Sequence, residues 1–256
     1  MNIKFIGTGS GKASLTRFHS SILFSSGNYN LLVDTGDGVS KALLYNNISF
    51  NSINGILITH LHPDHFSGLP SLIVQMKLTG RINDLDVFLH KSSIDFVKNF
   101  IYSSYLFGGK MDFKIHYKTF EPDERINISD NLSCIARQNS HLDSYKKYDR
   151  LNALGFSCIS LLFDLNNNNL LYTGDIGSKG DLYLFNDFKI DKIISEISHI
   201  SMSDLLAAFR SQEIEELFLT HISDDDENKI NELYLMLLEN EKEKVKTAFD
   251  GLTIDV

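Results

Sequence analysis

Residues 59–68 read Thr-His-Leu-His-Pro-Asp-His-Phe-Ser-Gly, directly after the apolar run Gly55-Ile56-Leu57-Ile58. Three of the nine histidines and an aspartate thus fall within six positions at the end of a strand-like segment. In an extended segment His60 and His62 project to the same side, and Pro63 turns Asp64 and His65 into the next helix. Imidazoles and a carboxylate converging this way suit a zinc-like ion, which takes such ligands at about 2 Å and keeps a position for water when it is catalytic. The plainer account makes Asp64 the N-cap of a helix beginning near Phe66. Capping explains Asp64 alone, whereas three neighbouring imidazoles without a cation would suffer desolvation or mutual repulsion.

The pattern H-x-H-x-D-H supplies four ligands, too few for two closed sites and an odd set for one, so more are expected elsewhere. Other metal-type residues also end apolar strands: His141 after 132–138, Asp175 after Leu170-Leu171-Tyr172-Thr173-Gly174, and His221 after Leu217-Phe218-Leu219-Thr220. Singly, each reads as an inert loop histidine or a turn aspartate. Together with the first cluster they make seven candidate ligands. Glu196 and His199 follow Ile193-Ile194. An imidazolium held by a carboxylate can protonate a leaving alkoxide; the alternative is that the pair caps a helix starting near Met202.

Apolar, β-branched runs between turn signals predict strands near 2–6, 20–25, 29–33, 55–59, 85–90 and 113–119, then near 132–138, 155–163, 169–173, 190–195, 215–220 and 244–248. Helical periodicity covers 38–46, 66–78, 91–101, 202–210 and 227–239. Two successive sets of strands then helices imply an α/β fold of two sheets packed face to face with helices outside. The halves share no visible sequence identity. Gly27-Asn28 and Asn166 to Asn169 suit hairpin turns.

At 256 residues and 43% hydrophobic, the chain is long enough to bury one core, so residues 1–256 are read as one domain. No run approaches a membrane span and no charged-then-apolar leader opens the chain, which predicts a cytoplasmic protein without a membrane partner. Cys134 and Cys158 lie in apolar runs and are expected to be reduced core residues. A net charge of −9 argues against a generic nucleic-acid binder. Lys110, Lys114 and Lys118 alternate with apolar residues, and Lys146-Lys147 with Arg150 form only a small cluster. A phosphate substrate would therefore need another source of positive charge.

The chain resembles the metallo-β-lactamase superfamily, and within it ribonuclease Z. The matching segments are Phe5-Ile6-Gly7-Thr8-Gly9-Ser10-Gly11 with Arg17 and Ser20-Ser21, and Leu32-Val33-Asp34-Thr35-Gly36-Asp37-Gly38. Ile58 to His65, continuing to Gly68-Leu69-Pro70 and Gly80-Arg81, is the strongest match; Tyr172-Thr173-Gly174-Asp175, Leu219-Thr220-His221-Ile222-Ser223 and Ala248-Phe249-Asp250-Gly251-Leu252 extend it. The resemblance implies a four-layer αββα sandwich and two divalent metal ions, expected to be Zn, with Mn or Fe as alternatives. It implies that His60, His62 and His141 hold one ion, that Asp64, His65 and His221 hold the other, and that Asp175 bridges them beside a nucleophilic hydroxide. Asp34 would orient ligand histidines, or serve only in an Asx turn. Asp64 joins His199 and Glu196 as the implied catalytic residues. His199 lies twenty-two positions before His221, the spacing of the proton-donating histidine in ribonuclease Z, and His199-Ile200-Ser201 resembles that family's His-Ser-Thr motif.

The departures bear on substrate. Ribonuclease Z carries an extended Gly/Pro-rich arm that grips tRNA; here Phe163-Asp164-Leu165 passes through Asn166 to Asn169 straight into Leu170. Asp224-Asp225-Asp226 also stands where basic and aromatic residues are expected, and would repel a polyanion if it faced the site. The expected function is a dinuclear metal-dependent phosphodiesterase acting on a small molecule or short nucleic acid. The alternatives are an arm-less tRNA 3′-processing endoribonuclease, a lactonase or thioesterase, and a non-catalytic metal sensor. Related enzymes suggest a homodimer.

Overall fold

The computed structural model describes residues 1–165 and 168–255 and divides into two compact units. Unit 1 comprises Met1–Thr8, Leu15–Glu121 and Asp250–Val256; unit 2 comprises Gly9–Ser14 and Pro122–Phe249.

Unit 1 is built on a seven-stranded sheet. Its strands are β1 (Asn2–Gly7), β2 (Ser21–Ser26), β3 (Tyr29–Val33), β4 (Gly55–Leu57), β5 (Leu85–His90), β6 (Ile115–Phe120) and, from the C-terminus, β14 (Thr253–Asp255). The order is β14-β1-β2-β3-β4-β5-β6, antiparallel from β14 to β3 and parallel from β3 to β6. Parallel neighbours need crossovers, and α1 (Val39–Tyr45), α2 (Pro63–Phe66), α3 (Leu69–Leu78) and α4 (Ile94–Ser103) lie in them. Leu43 of α1, Leu72 and Met76 of α3, and Val97 and Ile101 of α4 pack with Leu32, Ile56 and Val87 of the sheet. Ile3, Phe5, Phe24, Leu31, Val33 and Leu57 are buried as well, so the central strands are covered on both faces and read as continuous apolar runs.

Unit 2 repeats the plan. Its strands are β7 (Arg125–Ser129), β8 (Leu132–Gln138), β9 (Ile159–Leu165), β10 (Asn168–Tyr172), β11 (Lys192–Glu196), β12 (Glu216–Thr220) and β13 (Val245–Thr247). They run in the order β13-β12-β11-β10-β9-β8-β7, antiparallel from β7 to β10 and parallel from β10 to β13. The crossovers include α5 (Met202–Ser211) and α6 (Glu227–Met236). Ser201 starts α5 by accepting the Asp204 N–H at 3.1 Å, and Met202, Leu205, Leu206 and Phe209 form its buried stripe. Each sheet thus has one antiparallel half and one parallel half, which is the expected duplication without sequence identity.

Several boundaries differ from expectation. The helix expected over 66–78 begins only at Leu69, with Pro70 in its first turn, and Phe66 instead closes the separate turn α2; Gly68 between them packs so closely that a Cβ would lie 2.3 Å from the Gly36 carbonyl oxygen. β9 begins at Ile159 rather than 155, and β7 and β14 were not expected. Gly27, at φ 57°, sits between paired Ser26 and Tyr29 as a hairpin requires. Of the second expected turn, Asn168 and Asn169 belong to β10, while Asn166 and Asn167 lie outside the described residues. Both cysteines are buried and neither is in a disulfide, and burial pushes the Cys134 thiol up. Among the described residues no helix is long and apolar enough to cross a membrane.

Candidate metal centre

Parallel α/β sheets place ligands at the carboxyl ends of their strands, and the candidate residues follow that rule. In unit 1, β4 delivers the chain to His60, and Pro63 opens the single turn of α2. The His60 ring centroid lies 4.7 Å from that of His62 and 4.2 Å from that of His65. His62, with extended φ and ψ, occupies the N-cap of α2 and no side chain caps it. Asp64 is therefore not the N-cap considered from sequence: it lies inside the first turn, with Oδ2 3.6 Å from His65 Nε2.

Asp34, just past β3 at φ 63°, is wholly buried behind this turn. It accepts the Thr59 N–H at 2.8 Å, the Thr59 hydroxyl at 3.0 and 2.9 Å through its two oxygens, and His65 Nδ1 at 2.7 Å. The carboxylate thus orients ligand-type side chains, as one of the two sequence readings expected. The glycine turn that follows packs on the ligand turn. The Thr35 N–H donates to the His65 carbonyl at 2.7 Å, and a Cβ on Gly36 would lie 2.1 Å from the Asp64 carbonyl oxygen.

In unit 2, His141, Asp175, Glu196 and His221 are buried and His199 is partly exposed. His141 Nε2 lies 3.6 Å from Asp175 Oδ2, and His221 Nε2 3.3 Å from Asp175 Oδ1. His199 Nδ1 lies 4.0 Å from Asp175 Oδ2. Glu196 grips His199 twice: Oε2 accepts its backbone N–H at 2.9 Å and Oε1 lies 3.3 Å from its Nδ1. Because Ser201 caps α5, capping does not account for this pair.

Sequence reasoning missed three supports. Asn139 donates to the Asp175 carbonyl at 2.9 Å and accepts the His141 N–H at 3.1 Å. Asp181 accepts the Ser140 hydroxyl at 2.7 Å and the Gly177 and Ser178 N–H groups at 2.9 and 3.1 Å, stitching the His141 loop to the Asp175 loop. The Ser-x-x-Asp spacing of Ser178 and Asp181 was the available signal, since it forms a capping box. Ser198 donates to the His221 carbonyl at 2.8 Å and lies 3.3 Å from its Nδ1.

The imidazole–carboxylate distances test whether a metal fits. Separations of 3.3 to 3.6 Å exceed the usual N–H···O length. Two donors each about 2.1 Å from a tetrahedral ion stand about 3.4 Å apart, so the donor sets match ligands of a common ion better than direct hydrogen bonds. The ligand-type residues form two groups sharing Asp175: His60, His62, His141 and Asp175, and Asp64, His65, Asp175 and His221. The acidic run Asp224 to Asp226 has partners within unit 2. Asp225 pairs with Lys12, Asp224 accepts the Ser14 hydroxyl at 2.8 Å, and Asp226 accepts the Ser223 N–H at 2.8 Å.

Ribonuclease Z of Prochlorococcus marinus (strain MIT 9312) is 33% identical over 136 residues, 51% of this chain but only 43% of that enzyme. Ribonuclease Z of Picrophilus torridus is 27% identical over 93% of this chain and 89% of its own length. Three solved structures share the fold. The metallo-β-lactamase fold protein YhfI of Bacillus subtilis has a TM-score of 0.76 at 19% identity, covering 99% of both chains. The human short-form tRNase Z has a TM-score of 0.71 at 19% identity, covering 100% of this chain and 99% of that one. The Zn(2+)-bound PqqB of Methylobacterium extorquens has a TM-score of 0.69 at 14% identity, covering 100% of both. The fold is the αββα sandwich of the metallo-β-lactamase superfamily, and the two ligand-type groups sharing Asp175 are consistent with a dinuclear-metal hydrolase of the ribonuclease Z-like kind. Within that superfamily a family model described as Anti-Pycsar protein Apyc1 matches residues 1–242, and the chain belongs to that family.

Proposed function

We propose that the chain is a phosphodiesterase working as a single hydrolase domain, with one divalent ion on His60, His62, His141 and Asp175 and a second on Asp64, His65, Asp175 and His221. The observation that carries the reading is the full set of seven ligand-type side chains in two groups sharing Asp175. Two such ions supply an activated water and neutralise phosphodiester oxygens. His199 holds the proton for the leaving oxygen, and Glu196, buried beneath it, fixes the ring. This pair favours turnover over a metal sensor, and a leaving alkoxide needs its proton more than the leaving group of an activated carboxylic ester. Asp64 contributes as a ligand beside the reacting oxygens. Zinc suits a donor set of imidazoles and carboxylates, and PqqB of the same fold is Zn-bound; Mn or Fe is the alternative. A cytoplasmic homodimer completes the reading.

The substrate we favour is a small diester, and a role against Pycsar, as the family description has it, is proposed with it. Antiparallel pairing of Leu165 with Asn168 leaves two residues of sequence where an RNA-gripping arm would be needed. The ribonuclease Z relatives support a second reading, tRNA 3′ processing without that arm. A panel of bis(p-nitrophenyl) phosphate, cyclic nucleotides, precursor tRNA and a lactone, run with metal-loaded protein, separates the readings. Fast hydrolysis of small diesters with poor tRNA cleavage is expected. Correctly placed 3′ cleavage as the fastest reaction, or hydrolysis of the lactone alone, overturns the proposal.

A further inference from the structure

We propose that Thr59 and Asp34 form a proton-ordered relay that presets both His60 and His65 with the proton on Nδ1, so that one buried carboxylate orients a ligand in each metal group. This rests on the ligand assignment above, but the hydrogen bonds themselves do not depend on it. Asp34 receives the Thr59 hydroxyl through both oxygens, at 3.0 and 2.9 Å. A hydroxyl carries one proton. With that proton committed to the carboxylate, Thr59 can only accept where it meets His60 Nδ1 at 3.1 Å, so the ring nitrogen donates. The reverse order would set the bare Thr59 oxygen against the carboxylate at hydrogen-bond distance inside a site where Thr59 is 1% exposed and Asp34 is fully buried.

His65 is set without an intermediary, its Nδ1 donating to Asp34 at 2.7 Å. The bond made by one ring nitrogen decides which tautomer is present, so His60 and His65 both keep the Nε2 lone pair for a cation. His60 belongs to the group with His62, and His65 to the group with Asp64. Asp34 therefore reaches one group directly and the other through Thr59. The Thr59 N–H, at 2.8 Å from Asp34, holds the carboxylate whatever the side chain at position 59. Thr59 is thus a positioning residue for one metal group and not the other. His221 is ordered by the same logic through Ser198, whose hydroxyl proton goes to the His221 carbonyl, and serves as an internal control.

Thr59→Val keeps the shape and removes the relay; Thr59→Ser keeps the hydroxyl. In metal-free, 15N-histidine-labelled protein, long-range 1H–15N spectra should show His60 and His65 protonated at Nδ1. In Thr59→Val, His60 should lose that signature while His65 and His221 keep theirs, and Thr59→Ser should restore it. Chelator competition with Zn should show one of two sites weakened 10- to 100-fold in Thr59→Val, with the other within threefold of the unsubstituted protein. His60 protonated at Nε2 in the unsubstituted protein, or Thr59→Val weakening both sites equally or neither, overturns the inference. If the unsubstituted protein binds fewer than two ions, the dinuclear reading fails, and the tautomer spectra still decide the relay.

Discussion

His199→Ala separates proton transfer from metal binding. His199 lies 4.0 Å from Asp175 Oδ2 but is held by Glu196 through two contacts, at 2.9 and 3.3 Å. Positioned general acids contribute about 10²- to 10⁴-fold, or about 3 to 5 kcal/mol of barrier. The side chain is 40% exposed, so water can partly stand in, and the lower end, about 10²- to 10³-fold, is expected for alkyl or nucleoside leaving groups. p-Nitrophenolate leaves without a proton, so bis(p-nitrophenyl) phosphate should lose less than about tenfold. Glu196→Gln, which keeps an acceptor for the backbone N–H but removes the charge beside Nδ1, should fall between these limits. The assay is kcat across a series of diesters graded by leaving-group pKa, with metal content measured on each variant. An equal loss across the series, or a missing ion, would show that His199 supports coordination instead and would refute the reasoning.

Other perturbations act on the frame around the site. Gly36→Ala would set a methyl group 2.1 Å from the Asp64 carbonyl oxygen; a destabilisation of about 1–3 kcal/mol and weakened Zn binding are expected, measured by urea unfolding and chelator competition. Arg210 meets both Glu241 oxygens at 2.7 Å and holds its carboxyl below the usual carboxylate range. The stability it contributes is therefore present above the ordinary glutamate pKa and is lost as pH falls through the lowered value. The Tm gap between the native protein and Glu241→Gln should accordingly narrow on acidification below about pH 4.3, and a gap that widens there contradicts the sign. Stripping metal with a chelator should lower thermal stability by about 2.7 kcal/mol for each site that had been at a hundredfold excess over its Kd, with recovery on adding Zn; an unchanged Tm would argue against occupied sites.

The grouping of ligand-type residues was legible because metal chemistry restricts residue type: H-x-H-x-D-H has few other uses, and His141, Asp175 and His221 each follow an apolar run of strand type. The central parallel strands of both sheets were legible as continuous apolar runs because they are buried on both faces. β7 and β14 were not, because both are short sheet-edge strands; Arg125, Asn127, Thr253 and Asp255 expose polar side chains that interrupt an apolar run. The alternative in which Asp64 caps a helix near Phe66 fails because Pro63 begins the helix earlier than the apolar periodicity does. Asn139 carried no local signal, and the Ser178 to Asp181 spacing marks only a capped turn; which loops the two side chains join is not written in local sequence.

Charge explains how an acidic chain can favour a phosphodiester. Several of its acids are answered locally: Asp225 by Lys12, Asp226 by Lys229, Asp187 by Arg137 and Glu241 by Arg210. In the proposed site five imidazoles bind as neutral ligands, and the carboxylates of Asp64 and Asp175 are the only anions among the seven. Two divalent ions bring about four positive charges against those two, and Asp34 behind them removes about one more. About one unit of positive charge would remain while the water at the centre is neutral, enough to draw in the single negative charge of a phosphodiester before that water is activated. A run of phosphates would need Lys and Arg extending away from the centre, yet Lys146 is paired with Asp143 and Lys12 with Asp225. The same ledger that permits one phosphate therefore weighs against a long polyanion.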